Sequence, residues 1–215
     1  MSFYREKVFP RLAEALWLLF LFLDLTRMAD STPVKFAAIC LCLVTALLGA
    51  ESPDAGLVAL ALCFTVGADW FLLVRNDHYL LGTGLFRVVQ LLYACRLFRL
   101  RGGAVCPRGL ALRAGGLVLC VLLAVRSSWF FPLIGLPLFY FLSLCVNAAE
   151  AFALPRGRLS RRFAWGLLLF IGCDVCVGAW NLGLLGEFAR VGMWLFYLPS
   201  QVLIVLSQNA KGVAP

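Results

Sequence analysis

Two aspartates stand alone within strongly apolar stretches, each behind the same small-residue step: Gly67-Ala68-Asp69 and Gly172-Cys173-Asp174. Even on insertion-based scales an acidic side chain at membrane depth costs about 2.5–3.5 kcal/mol, so such residues are rare and usually functional. A purely structural site is served at lower cost by Asn or Ser, whereas a carboxyl group carries a proton. Two carboxyls in one low-dielectric interior titrate as a coupled pair, one holding its proton while the other is an anion. That arrangement cleaves acetal-like C–O bonds: one group delivers a proton, and the other stabilises an oxocarbenium ion or activates water. Proton-coupled transport also uses intramembrane carboxyls, so the pair by itself leaves both chemistries open.

Composition dictates the elements that must position them. The chain has 215 residues, 63% of them hydrophobic and only 14% charged, with a mean hydropathy of +0.94. A soluble domain of this size has too few polar groups to cover its surface, so the expected class is an all-α, polytopic membrane helical bundle. Each span needs about 20 apolar residues, and eight such stretches are expected: Phe9–Thr26, Val34–Ala50, Ala55–Val74, Tyr79–Phe98, Gly109–Val125, Phe130–Phe152, Phe163–Leu182 and Phe188–Gln208. The runs are continuously apolar rather than alternating, which excludes a β-barrel. The longest connections, Arg99–Arg108 and Ala153–Arg162, leave room for a single membrane domain over residues 1–215. Met1–Pro10 lacks a small-residue cleavage site and a separate short apolar core, so no removable signal peptide is expected.

The net charge of +8 is distributed as a topology signal and not as a nucleic-acid surface. Thirteen Lys and Arg fall on the side of the N-terminus, in the segments Arg5–Arg11, Arg96–Arg113 and Arg156–Arg162 and at Lys211. Five fall opposite, namely Arg27, Lys35, Arg75, Arg126 and Arg190, and Arg87 lies within a helix. Positive-inside asymmetry then places both termini in the cytoplasm, with the excess charge against anionic lipid headgroups. The nine cysteines lie almost entirely within spans. Cys173 and Cys176 read as packing residues around Asp174, and no disulfide framework or metal pattern is expected. His78, the single histidine, sits in a turn as an interfacial residue, which argues against a Ser-His-Asp hydrolase. Asp24 and Glu14 lie towards the ends of the first span, where they are expected to snorkel.

Polar groups inside the spans form stripes. Arg87, Gln90 and Tyr93 follow one another at i, i+3 steps; Tyr197, Gln201 and Gln208 share a face of the last span; Asn147 and Glu150 lie one turn apart; Asn181 follows Asp174 by seven residues. Such faces point into a bundle interior or a water-filled cavity. They serve equally as interhelical glue, and Arg87 is a candidate ion-pair partner for Asp69 or Asp174. Gly67, Ala68, Gly172 and Gly178 are expected to let helices approach closely. The two Gly-x-Asp steps fall in the third and seventh spans at depths differing by roughly 5 Å, and Gln90-Leu91-Leu92 is echoed by Gln201-Val202-Leu203. A weak four-plus-four repeat is one reading of that echo.

These residues also resemble a known pattern. Gly67-Ala68-Asp69-Trp70-Phe71-Leu72-Leu73, then Tyr79 to Phe86 and Gln90-Leu91-Leu92-Tyr93, resemble the first signature of the YhhN-like lysoplasmalogenase family. Phe170-Ile171-Gly172-Cys173-Asp174 resembles its second, Phe196 to Ile204 with Ser207 its last-helix signature, and Lys35 a family lysine opening the second span. The resemblance implies eight spans and hydrolysis of the vinyl ether bond of a lysoplasmalogen. The products would be a fatty aldehyde and a glycerophospho-ethanolamine or -choline. It carries the paired acids onto Asp69 and Asp174. Gln90 stands where family members often have histidine, and Lys35 lacks the following proline. The expected partners are a lysophospholipid substrate and membrane lipid, with no cofactor or metal required and no nucleic acid. Substrate-binding roles fall to Lys35 or Arg87 for the phosphate. Gln90, Tyr93, Asn181, Tyr197 and Gln201 are expected to position water and glycerol hydroxyls. The expected location is a bacterial inner or plasma membrane. A small proton-coupled transporter and a lipid-binding family member without turnover are the alternatives.

Overall fold

The computed structural model describes residues 3–126 and 134–209. The opening of the sixth expected span, from Phe130, and Lys211 lie outside them. Among the described residues there are eight α-helices and no strand: α1 (Phe9–Thr26), α2 (Thr32–Leu48), α3 (Pro53–Asp69), α4 (Tyr79–Leu100), α5 (Pro107–Arg126), α6 (Leu136–Phe152), α7 (Arg158–Asn181) and α8 (Gly186–Leu206). A π-helical turn, Tyr4–Val8, precedes α1, and another, Trp70–Val74, extends α3. Among the described residues, four helices are long and apolar enough to cross a membrane: α3 with its extension, α4, α7 and α8; α2 and α6 are shorter apolar helices.

Hydropathy locates these elements, but local chemistry sets their ends. Prolines in the first turn open α2 (Pro33), α3 (Pro53), α5 (Pro107) and α6 (Pro137), two residues or so outside the apolar runs of α2, α3 and α5. Their missing N–H groups would be unpaired there in any case. Ser52 caps α3 by accepting the Ala55 N–H at 3.1 Å. α7 begins with Arg158, Arg161 and Arg162, a charged first turn that an apolar count omits.

Seven helices close a ring in which α1, α2, α3, α4, α6, α7 and α8 each pack on the next, and α8 returns to α1. α8 also reaches inward to α2 and α3, while α5 lies outside against α6. The pairs α3–α4 and α7–α8 are built alike. A Cβ on Gly67 would meet Leu85 of α4 at 3.5 Å, and one on Gly172 would meet Phe196 of α8 at 3.2 Å. Gly178 differs from expectation, because its position is open and serves no close approach. Leu, Val and Phe side chains on the outer faces of α1 and α5 are exposed, the surface a bilayer solvates.

The end of the bundle nearer Glu6 is tied by ion pairs. Glu6 binds Arg162 at 2.8 Å and Arg158 at 2.9 Å. Arg101 and Arg113 both reach Glu150 at 2.8 Å. The buried Arg96 donates to Asp54 at 2.8 and 2.9 Å and to the Ser207 hydroxyl at 2.7 Å, with its guanidinium over Phe163. Removing one partner of a buried pair costs about 3–5 kcal/mol, because the other charge is stranded. Asp54→Ala is therefore expected to lower the detergent-solubilised thermal midpoint steeply, and the Asp54→Ala/Arg96→Met double variant is expected to regain most of the loss.

Candidate functional site

α3 and α7 both run towards the end of the bundle that carries the α1–α2, α3–α4 and α7–α8 connections, and each delivers its aspartate below that end. A cavity of about 660 Å³ opens there, lined by Asp69 and Asp174 together with Lys35, Asn181 and Tyr197. Leu72, Leu73, Phe86, Phe170, Val177 and Trp194 supply an apolar wall, and Asp77, His78 and Tyr79 lie at the α3–α4 turn.

The backbone around Asp69 departs from regular helix. α3 ends at Asp69, and the next turn widens so that the Arg75 N–H donates to the Trp70 carbonyl at 2.8 Å. Inserted π turns of this kind recur at functional sites because they re-aim neighbouring side chains. Here the turn carries Leu72 and Leu73 into the cavity wall. It has room only because position 82 is glycine: a Cβ there would lie 2.4 Å from Leu72 Cγ. The turn closes through Asn76 (φ 49°) and His78 (φ 51°), both left-handed.

The Asp69 Oδ2 accepts a hydrogen bond from the Tyr197 hydroxyl at 2.8 Å, and both residues are buried. Tyr197 is held by rings on several sides: Trp194 at 5.2 Å, Phe170 at 5.6 Å and Phe86 at 6.5 Å between centroids. Pro199 follows two residues later in α8 and removes one rung of its hydrogen-bond ladder. Asp174 is arranged differently. Its Oδ2 is buried without a hydrogen-bond partner. Tyr140 of α6 turns its hydroxyl towards this carboxyl, but in a looser approach than the 2.8 Å hydrogen bond that Tyr197 gives Asp69. Cys173 lies within electrostatic reach of both carboxyls.

Lys35 enters the cavity from the first turns of α2 and is paired with Asp24 at 2.8 Å. Ser31 donates to the same carboxylate at 2.5 Å, Arg190 approaches it at 3.6 Å, and the Lys35 ammonium sits 5.1 Å from the Trp194 ring centroid. Asp24 therefore does not snorkel. It is buried because Lys35, Ser31 and Arg190 supply the donors that water would otherwise provide.

Asp69, Asp174, Lys35, Asn181 and Tyr197 meet at one cavity; Arg87, Gln90, Tyr93 and Gln201 do not line it. Arg87 pairs with neither aspartate and has no ion pair among the described residues. Its guanidinium instead lies 4.4 Å from the Phe139 ring centroid, a cation–π contact that satisfies it without a carboxylate. Gln90 accepts a hydrogen bond from Asn147 at 2.9 Å, and Gln201 and Tyr93 are fully interior. Sequence patterning alone does not bring Asp24, Tyr140 or Arg190 to the site. Tyr140 sits in the apolar run Phe139-Tyr140-Phe141 and looks like packing; Asp24 lies near a span end. Arg190 alone carried a signal, as one of few basic residues at this end. The described cysteines are all free, and no group of three or more His, Cys, Asp or Glu is arranged for a metal among the described residues.

No curated protein and no solved structure matches the chain. A family model does, over residues 31–208. That stretch contains both aspartates, Lys35, Tyr197 and most of the wall between them, and the chain belongs to the YhhN family.

Proposed function

We propose that the protein hydrolyses the vinyl ether bond of lysoplasmalogens, with Asp69 and Asp174 as its acid/base pair. The observation that carries this reading is the placement of both intramembrane carboxyls on one cavity that joins an apolar wall to a polar mouth. A lysolipid's alkenyl chain suits the Leu, Phe and Trp wall, and its polar head suits the charged mouth where Lys35, Asp24 and Arg190 meet.

The chemistry requires a proton on carbon. Asp174 delivers it to the β-carbon of the R–CH=CH–O–R′ unit, because a buried carboxyl oxygen without a donor is satisfied by carrying its own proton. The C=C π pair forms the new C–H bond, and an oxocarbenium ion develops across the α-carbon and the ether oxygen. Asp69, held by the Tyr197 hydroxyl, stays a carboxylate and stabilises that cation. Water then adds to the α-carbon, losing a proton to a carboxylate. The hemiacetal collapses to R–CH2–CHO and HO–R′, and the proton balance closes. Each step uses side chains alone.

The charge asymmetry supports cytoplasmic termini, which places the cavity mouth on the non-cytoplasmic side.

Asp69→Asn and Asp174→Asn are each expected to retain the fold and to lower aldehyde release from lysoplasmalogen by about 10²–10⁴-fold; full activity in either variant removes that residue from the mechanism. Tyr197→Phe is expected to lose less, about 1–2 kcal/mol of transition-state stabilisation, seen in kcat more than in KM. Turnover in D2O is expected to place one deuterium on the carbon next to the aldehyde, read by mass spectrometry. A product without it contradicts carbon protonation.

A further inference from the structure

Five buried polar side chains have no part in the cavity's lining as described, apart from the proximity of one to Asp174. Gln90 and Tyr93 on α4, Tyr140 on α6, and Ser200 and Gln201 on α8 are each no more than 7% exposed. Each carries a polar side-chain atom without a hydrogen-bond partner: Gln90 Nε2, the Tyr93 and Tyr140 hydroxyls, Ser200 Oγ, and both Nε2 and Oε1 of Gln201. An unsatisfied buried amide or hydroxyl costs about 1–3 kcal/mol, and native interiors keep few of them.

Helix register sets these residues at successive levels between the aspartates and Arg96. α4 and α8 both start at the cavity end and run the same way. Their rings touch at Phe86 and Tyr197, 6.5 Å apart. Near their other ends Arg96 donates to Ser207 at 2.7 Å, with a sequence offset of 111. Phe86 and Tyr197 share that offset, and so do Gln90 and Gln201, each one helical turn below the ring contact and above the arginine contact. Tyr140 is within electrostatic reach of Asp174 above and of Tyr93 below, and Tyr93 is within reach of Arg96. From Phe86 to Arg96 the column descends roughly 15 Å at the helical rise. Below it a second cavity, of about 360 Å³, is lined by Arg96, Asp54 and Ser207.

We infer that this column binds a file of water molecules connecting the aspartate pair to the Arg96 end of the bundle. A buried water needs two to four polar partners, and the column offers both donors and acceptors: the Gln90 and Gln201 amides, the tyrosine hydroxyls and Ser200. Its use rests on the hydrolytic reading. A lysolipid seated in the upper cavity has its head at the mouth, so the water that the reaction consumes arrives from beneath. Gln90 and Gln201 are positioning residues for that water.

X-ray hydroxyl-radical footprinting of the full chain in lipid nanodiscs tests the column without reference to turnover, because radicals form at bound water. Tyr93 and Tyr140 are expected to be oxidised much faster than Phe9, an equally buried aromatic outside the column. Gln201→Leu is expected to keep the fold, to bring Tyr93 oxidation down to the Phe9 rate, and to reduce kcat for aldehyde release by about tenfold with KM unchanged. Tyr93 and Tyr140 labelling no faster than Phe9 overturns the proposal, as does a Gln201→Leu protein with wild-type labelling and kcat. A wild-type protein that labels at Tyr93 but releases no aldehyde sinks the hydrolytic reading and leaves the water column standing.

Discussion

Hydrocarbon offers no donor to a carboxylate, so a helical bundle that keeps Asp69 must build one into itself. The Tyr197 hydroxyl, 2.8 Å from Oδ2, is that donor, and its position constrains much of the interior. Reaching α3 from α8 requires α8, itself a member of the ring, to lean inward across it. It requires the ring wall of Phe86, Phe170 and Trp194 to hold the phenol upright. The π turn after Asp69 and the glycine at position 82 then complete the space beside the carboxylate. That hydrogen bond ties α8 to α3, and the rings that hold the phenol bring in α4 and α7 around one cavity. Asp174 has only the looser approach of the Tyr140 hydroxyl, so the two acids sit in different surroundings, the arrangement that the proposed acid and base roles require.

Much of this was legible in the residues. Continuous apolar runs mark the eight helices, and α1 matches at both of its ends, because burying helix backbone in lipid admits few alternatives. The two aspartates were also legible, since lone charges in apolar runs stand out. Pairing was not. Arg87 invites a carboxylate partner by charge alone, but helix rotation turns it onto Phe139. Asp24 sits near a span end, where water is close at hand, and only the fold brings Lys35 and Arg190 to it. Tyr140 is invisible among phenylalanines until α6 is set against α7. Rotation and register are tertiary quantities, and a single chain's periodicity does not encode which face meets which.

The two ends of the bundle divide the electrostatic labour. At the Glu6 end, buried and half-buried arginines are closed off by carboxylates, with Arg96 tied to both Asp54 and Ser207. At the other end the charges surround an open mouth, and four non-glycine residues, Arg27, Asn76, His78 and Leu185, hold left-handed backbone. Such conformations are costly and concentrate where function fixes the chain. Between the ends, α4 and α8 run in parallel register and carry their polar side chains inward. The bundle is therefore pinned at one end and open at the other.

The claim most exposed to test is that Asp69 and Asp174 face a common lipid-accessible space. Infrared difference spectroscopy on the purified protein, adding a saturated ether lysolipid that cannot be hydrolysed, reads the carboxyl groups directly. A shared cavity predicts that one ligand perturbs both a protonated carboxyl band, abolished in Asp174→Asn, and a carboxylate band, abolished in Asp69→Asn. Saturable ligand binding that leaves both bands unmoved would contradict the account.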